Sequence, residues 1–160
     1  MSNWTIRPAA PADAEAIFGL IRALAMYEKL EHTVTGSAER LRAHLFGPRP
    51  YAEVLVAEAG GACVGFALFF HSFSTFLAAP GLYLEDLFVE PEQRRRGIGT
   101  ALLRQVAATA VERGCGRLEW AVLDWNEPAI AFYRRHGADV LPDWRICRVT
   151  GGALGRLAEA

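Results

Sequence analysis

Between Leu82 and Thr100 the chain reads LYLEDLFVEPEQRRRGIGT, and few folds accommodate that order of residues. Residues 82 to 89 are apolar on both alternating faces and of strand length, as expected of a strand covered on two sides. Pro91 ends the strand, because proline cannot donate to a ladder. Gly97 and Gly99 then open a helix whose first N–H groups have no partner within the helix. A strand, a tight turn and a helix N-terminus in this order make an anion seat, and Arg94, Arg95 and Arg96 place guanidinium forks beside it. The same letters also fit an ordinary βα turn with a solvated arginine face. A second feature favours a site: Glu85 and Asp86 interrupt the apolar strand. Adjacent strand residues point to opposite faces, so each face is expected to carry a carboxylate. An ionised carboxylate is costly to bury without partners, so at least one should border water or a ligand.

The elements around this unit are predicted from spacing. Trp4 to Arg7 suits a first strand ended by Pro8. A helix starting at Pro11 runs to Tyr27 with Ile17, Leu20, Ile21 and Leu24 on one face. Ser37 suits an N-cap for a helix over 38–46, closed by Gly47 and Pro48. The apolar runs 52–59 and 62–71 flank Gly60-Gly61, which signals an antiparallel hairpin. Residues 72–81 are expected to be a loop. A helix over 98–113 buries Ile98, Leu102, Val106 and Ala110 before Gly114. Residues 117–123 suit another strand, Asn126 an N-cap with Pro128 in the first turn, and the next helix ends near His136. Val140 and residues 144–149 suit final strands, and the tail from Gly151 is weakly specified. The fold class is therefore α/β (α+β): one domain over 1–160, with a mixed sheet of six to seven strands flanked by about four helices. The strands before and after the 98–113 helix should pair in parallel, and ligands in such sheets sit at strand carboxyl ends. Asn126, Ile130 and Tyr133 share one helix face.

Composition narrows the function. A chain of 160 residues with 52% hydrophobic and 22% charged residues can bury a substantial core. The formal net charge of −1 argues against general binding to nucleic acid or a membrane surface. Three cysteines, Cys63, Cys115 and Cys147, stand far apart with no metal or redox spacing, which points to a reducing, cytoplasmic setting. No apolar run approaches the roughly 18 residues of a membrane span. The four histidines lack ligand spacing, so no metal is expected.

These residues resemble the GNAT superfamily of N-acetyltransferases. RRRGIGT is similar to its Arg-x-x-Gly-x-Gly acyl-CoA pyrophosphate loop, and YLEDLFV, WNEPAIAFYRRHGA and the WR at Trp144 look like the diamine (spermidine/spermine) and thialysine branch. The resemblance implies a GNAT fold, acetyl-CoA as acetyl donor, a small-molecule amine as acceptor, and a homodimer with its C-terminal strand shared. It implies that backbone groups of Leu87, Phe88 and Val89 hold the pantetheine, and that Arg94, Arg95, Arg96, Gly97, Ile98, Gly99 and Thr100 take the pyrophosphate. Asn126 and Tyr133 match cofactor-side positions. Tyr133 also matches the acid that protonates the departing thiolate, Glu85 the carboxylate that helps remove the amine's proton, and Tyr27 and Glu28 the residues that meet the amine. Two departures matter. The stretch HSFSTFLAAPG lacks the acid and tryptophan that seat a long polycation in diamine enzymes, and Arg95 stands where the loop usually has glycine. A short amine is therefore expected to be preferred. The alternatives are a non-catalytic acyl-CoA-binding module and a protein N-terminal acetyltransferase.

Overall fold

A computed structural model describes residues 3–159, in two compact units that divide between Ala121 and Val122. The first unit contains the sheet. Its strands are β1 (Trp4–Pro8), β2 (Glu53–Ala59), β3 (Ala62–Ser74), β4 (Ala79–Val89) and β5 (Leu118–Glu119), and its helices are α1 (Ala14–Tyr27), α2 (Ala38–Phe46) and α3 (Ile98–Glu112). The strands lie in sequence order. The first four are antiparallel, and β4 pairs in parallel with β5 across α3.

Alternation along the strands builds the core. Val54, Val56, Phe66 and Phe88 pack with Ile17 and Leu20 of α1 and Leu45 of α2. Helix α3 packs across β3 and β4 and buries Ile98, Leu102, Leu103, Val106 and Ala110. Gly60 and Gly61, with φ of 59° and 80°, make the left-handed two-residue turn between β2 and β3 that matches strand twist. The start of α1 is tied to the sheet by Arg7, which bonds Asp13 at 2.7 Å and Glu58 of β2 at 2.9 Å. The Arg7 guanidinium holds the Asp13 carboxyl down at about 2. Ser37 caps α2 by accepting from the Arg40 N–H at 3.2 Å.

The second unit contains α4 (Glu127–Arg135) and α5 (Gly151–Glu159). Asn126 caps α4 by accepting from the Ala129 N–H at 3.3 Å, and Pro128 lies in its first turn, as the sequence predicts.

Four expectations are corrected. Among the described residues there are five strands in the sheet and five α-helices, three of them in the unit that holds the sheet, in place of six to seven strands and about four helices. Residues 72–81 are mostly strand: β3 and β4 run on to a four-residue turn at 75–78, held by the Ser74 hydroxyl accepting from the Leu77 N–H. Only Leu118–Glu119 of the 117–123 stretch pairs with β4, opposite Leu82 and Tyr83. The ladder stops where β4 bulges, and a bulge bends its strand away from a straight neighbour. Val140 and residues 144–149 form no strand, and the tail from Gly151 is helical. Trp144, Ile146 and Val149 are exposed; β-type side chains favour a strand only where a neighbouring strand completes the ladder and covers a face. Among the described residues no helix is long and apolar enough to cross a membrane.

Candidate active site

The bulge in β4 organises the acidic side of the site. Asp86 pairs with Leu68, Leu84 pairs with Phe69, and Glu85 is the extra residue between them. Regular alternation therefore fails at this pair, so the alternation from which one carboxylate per face was expected does not apply here. Directly opposed residues share a face, and Leu68 packs against the α1 core, so Asp86 lies on the α1 side of the sheet. Glu85 is exposed. Asp86 is not: its burial, then repulsion from Glu85 and Glu28, pushes its carboxyl up to about 7. Glu28 follows the last residue of α1, and burial raises its carboxyl as well. Three acids from two elements thus converge electrostatically beside the middle of β4. The sequence singled out Glu85 and Glu28 for roles here, while the stronger perturbation falls on Asp86, whose burial depends on a cross-strand partner that spacing does not reveal.

The basic side begins where β4 ends. On its β5 side, β4 has a strand partner only at Leu82 and Tyr83 among the described residues; Arg94 donates to the Val89 carbonyl at 2.9 Å, and the stretch from Leu84 to Phe88 has no strand paired on that side, as an added extended chain requires. That stretch includes the backbone of Leu87 and Phe88. The chain then turns into α3, whose N-cap is Gly97 at φ 83°, with no side-chain cap on the first N–H groups. A left-handed N-cap costs a residue with a Cβ free energy that glycine avoids. Arg95 also adopts φ 61°, which accounts for a glycine at this place in the resembling loops. Arg96 bonds Gln93, and its carbonyl accepts from the Trp4 indole N–H at 3.1 Å.

A groove of about 560 Å³ runs from this helix end along α3, lined by Trp4, Gly97, Thr100, Arg104 and Gln105 among others. Gly97, Thr100 and Arg104 recur at helical spacing, so Arg104 was accessible to a periodicity argument. Trp4 was not, since nothing local links the first strand to residue 96. An uncapped helix N-terminus, nearby arginines and a groove along the same helix fit a phosphate-bearing extended ligand, and the open β4 edge fits an amide-containing arm.

Tyr27 ends α1, partly exposed, with the Arg94 guanidinium carbon 5.1 Å from its ring centroid. One face of that ring is therefore taken by a cation of the protein itself. In the second unit, Asn126 and Ile130 are buried, and Tyr133, on the face that carries Ile130, has its ring centroid 5.5 Å from that of Phe132. Burial raises the Cys63 thiol, and Asp13 adds to the rise, which disfavours a thiolate nucleophile there.

Comparison with known proteins agrees with this chemistry. Residues 20–138 match the Acetyltransferase (GNAT) family model. The chain is 42% identical to a thialysine N-epsilon-acetyltransferase of Bos taurus over 96% of each chain. It is 34% identical to an L-ornithine N5-acetyltransferase of Arabidopsis thaliana over 93% of this chain and 85% of the relative. Among solved structures it is similar to an integron cassette protein from the mobile metagenome of V. cholerae, with TM-score 0.82 and 26% identity over 100% of this chain and 99% of that one.

Proposed function

Because the chain belongs to the GNAT acetyltransferase family, we propose that it transfers the acetyl group of acetyl-CoA to the primary amine of a small molecule, such as thialysine, another lysine-like amine or a short diamine. The observation that carries the reading is the continuity of the open β4 edge with the uncapped N-terminus of α3 on one side and the acids of β4 and α1 on the other. Acetyl-CoA supplies an acyl carbon already activated as a thioester. The backbone of Leu87, Phe88 and Val89 holds its pantetheine as an added strand. The N–H groups of Ile98, Gly99 and Thr100, with Arg95 and Arg96, seat the pyrophosphate, and Asn126 belongs to the cofactor side.

Tyr27 and Glu28 meet the amine. A primary ammonium with a pKa of about 10.4 must lose a proton before it can attack, and Glu85 takes that proton through water. Nitrogen then bonds to the acyl carbon, the carbon–sulfur bond breaks, and the Tyr133 hydroxyl protonates the departing thiolate. None of the three cysteines lies in a site motif, so attack is direct within a ternary complex. The chain acts as a single GNAT domain in a reducing cytoplasm. Leu141, Trp144, Ile146, Leu154 and Leu157 are all exposed, apolar side chains that a homodimer contact would cover.

The test is thiol release from acetyl-CoA with a panel of amines. A higher kcat/KM for thialysine, lysine or a short diamine than for spermidine or spermine is expected, because each further charge of a polyamine taken from water needs a carboxylate and residues 72–81 supply none. A preference for spermine would overturn this acceptor. No turnover with any amine, alongside retained acetyl-CoA binding, would leave an acyl-CoA-binding module.

Cofactor binding has its own readout. At a hundredfold excess over its dissociation constant, acetyl-CoA should stabilise the protein by about 2.7 kcal/mol, a rise in Tm of about 5–10 °C for a chain of this size. Gly97→Val should remove most of that rise, since a β-branched residue is strained at φ 83° and its side chain would stand at the mouth of the seat. An unchanged rise in the variant would place the pyrophosphate elsewhere.

A further inference from the structure

We propose that Arg94 is a positioning residue for the acceptor amine and not a member of the pyrophosphate seat with Arg95 and Arg96. The inference rests on the acetyltransferase reading above and assigns one residue within it. Three consecutive arginines look interchangeable in sequence, yet Arg94 folds back from the loop. Its Nε donates to the carbonyl of Val89, the last residue of β4, at 2.9 Å. Its guanidinium carbon lies 5.1 Å from the ring centroid of Tyr27 and 5.5 Å from that of Phe88. Both distances are within cation–π range. The side chain therefore clips the end of α1 to the end of β4, and its contacts are with Val89, Tyr27 and Phe88.

This clip sets the geometry of the acceptor side. Tyr27 is the last residue of α1 and Glu28 follows it directly, so a displacement of Tyr27 displaces Glu28. Glu28 acts electrostatically on Asp86, and the distance between those carboxylates fixes the field an incoming ammonium meets. Because Arg94 occupies a face of the Tyr27 ring, that ring serves as a wall whose position is held, and the carboxylates carry the attraction for the amine. Arg94 also opens the loop that leads to Gly97 and α3. A ligand that orders the loop orders the clip, so acetyl-CoA and the amine should favour each other's binding, reciprocally.

The experiment compares Arg94→Ala, Arg94→Lys, Arg96→Ala and Tyr27→Leu in the full chain, measuring amine KM, kcat, acetyl-CoA Kd and Tm. Arg94→Ala is expected to raise the amine KM about tenfold and to change the acetyl-CoA Kd by less than about threefold, whereas Arg96→Ala mainly weakens acetyl-CoA. Arg94→Lys, which keeps a cation near the rings, should recover most of the amine KM. In a Tyr27→Leu background, Arg94→Ala should add no further rise, since the ring it holds is gone. The proposal is overturned if Arg94→Ala weakens acetyl-CoA as much as Arg96→Ala while the amine KM stays put, or if the two substitutions act additively on the amine KM. It is also overturned if the losses follow Tm alone and Lys rescues nothing. A wild-type protein that turned over no amine would instead sink the underlying reading before any variant was made.

Discussion

Tyr133→Phe should lower kcat about 100-fold while leaving the acetyl-CoA dissociation constant within about twofold. The substitution deletes one oxygen and keeps the ring, so the edge-on packing against Phe132, at 5.5 Å between centroids, is preserved. It also leaves the α4 cap in place, because Asn126 caps the helix by accepting from the backbone N–H of Ala129. What is lost is the hydroxyl proposed as the proton donor. A thiolate with a conjugate pKa of about 8.5 is a fair leaving group, but a nearby phenol can still donate as it departs, and a positioned acid contributes about 10² to 10⁴ in rate. The loss should therefore fall on kcat. An unchanged kcat would remove Tyr133 from the chemistry. A weaker acetyl-CoA complex with an intact kcat would make it a binding residue only.

The parts of the molecule that were legible in sequence are those specified locally. Gly60-Gly61 announced its hairpin because only a left-handed pair makes that turn cheaply, and both residues adopt it. Ser37 and Asn126 announced helices α2 and α4 because a side-chain oxygen at that place satisfies an orphan N–H. Pro91, Gly97 and the spacing of Ile98, Leu102 and Val106 gave the turn from β4 into α3. The activity came from a different source, the resemblance of three ordered blocks to one acetyltransferase branch, and the family match supports it.

What stayed hidden depends on partners distant in sequence. The bulge at Glu85 exists because β3 and β4 change register between Leu68 and Phe69, so no count along β4 reveals that Asp86 turns toward α1. The contact of Arg94 with Tyr27 was hidden as well, because nothing local links residue 94 to the end of α1. Trp4 reads as a strand residue until its indole meets the Arg96 carbonyl. The segment around Trp144 has strand-like residues and no strand in the structure, because composition favours a strand only where a ladder exists to receive it.

The register shift at Glu85 leads to the second large effect: Asp86→Asn should make the protein more stable at pH 8, by up to about 4 kcal/mol, and flatten the fall of stability between pH 4 and 7. Asp86 shares the α1 face with Leu68, and it titrates near 7 because its ionised form is desolvated and repelled by Glu85 on its own strand and Glu28 at the end of α1. The Arg94 guanidinium stands over Phe88, two residues along β4, and does not reverse that upward push. A carboxyl whose folded pKa lies above its ordinary value of 3.8 binds its proton more tightly in the native state. Below about pH 4 both states are protonated and the group costs nothing. As pH rises toward 7 the unfolded chain releases the proton first, and native stability is lost until the native carboxyl also ionises. Every tenfold difference in proton affinity between the folded and unfolded chain is worth about 1.4 kcal/mol, which sets the ceiling of about 4, and relaxation of the site reduces it. Asparagine keeps the shape and does not ionise, so the penalty is absent at every pH. Glu28, raised by burial, contributes a slope of the same sign, so the informative quantity is the difference between wild type and variant. Urea unfolding at pH 5 and pH 8 measures it: wild type should lose stability over that interval relative to Asp86→Asn, and parallel curves would refute the assignment. Under the proposed acetyl transfer to an amine, an ammonium beside Asp86 would favour the ionised form and offset the electrostatic cost. Wild type should therefore bind a short diamine more tightly at pH 8 than at pH 5, and Asp86→Asn should lose most of that difference.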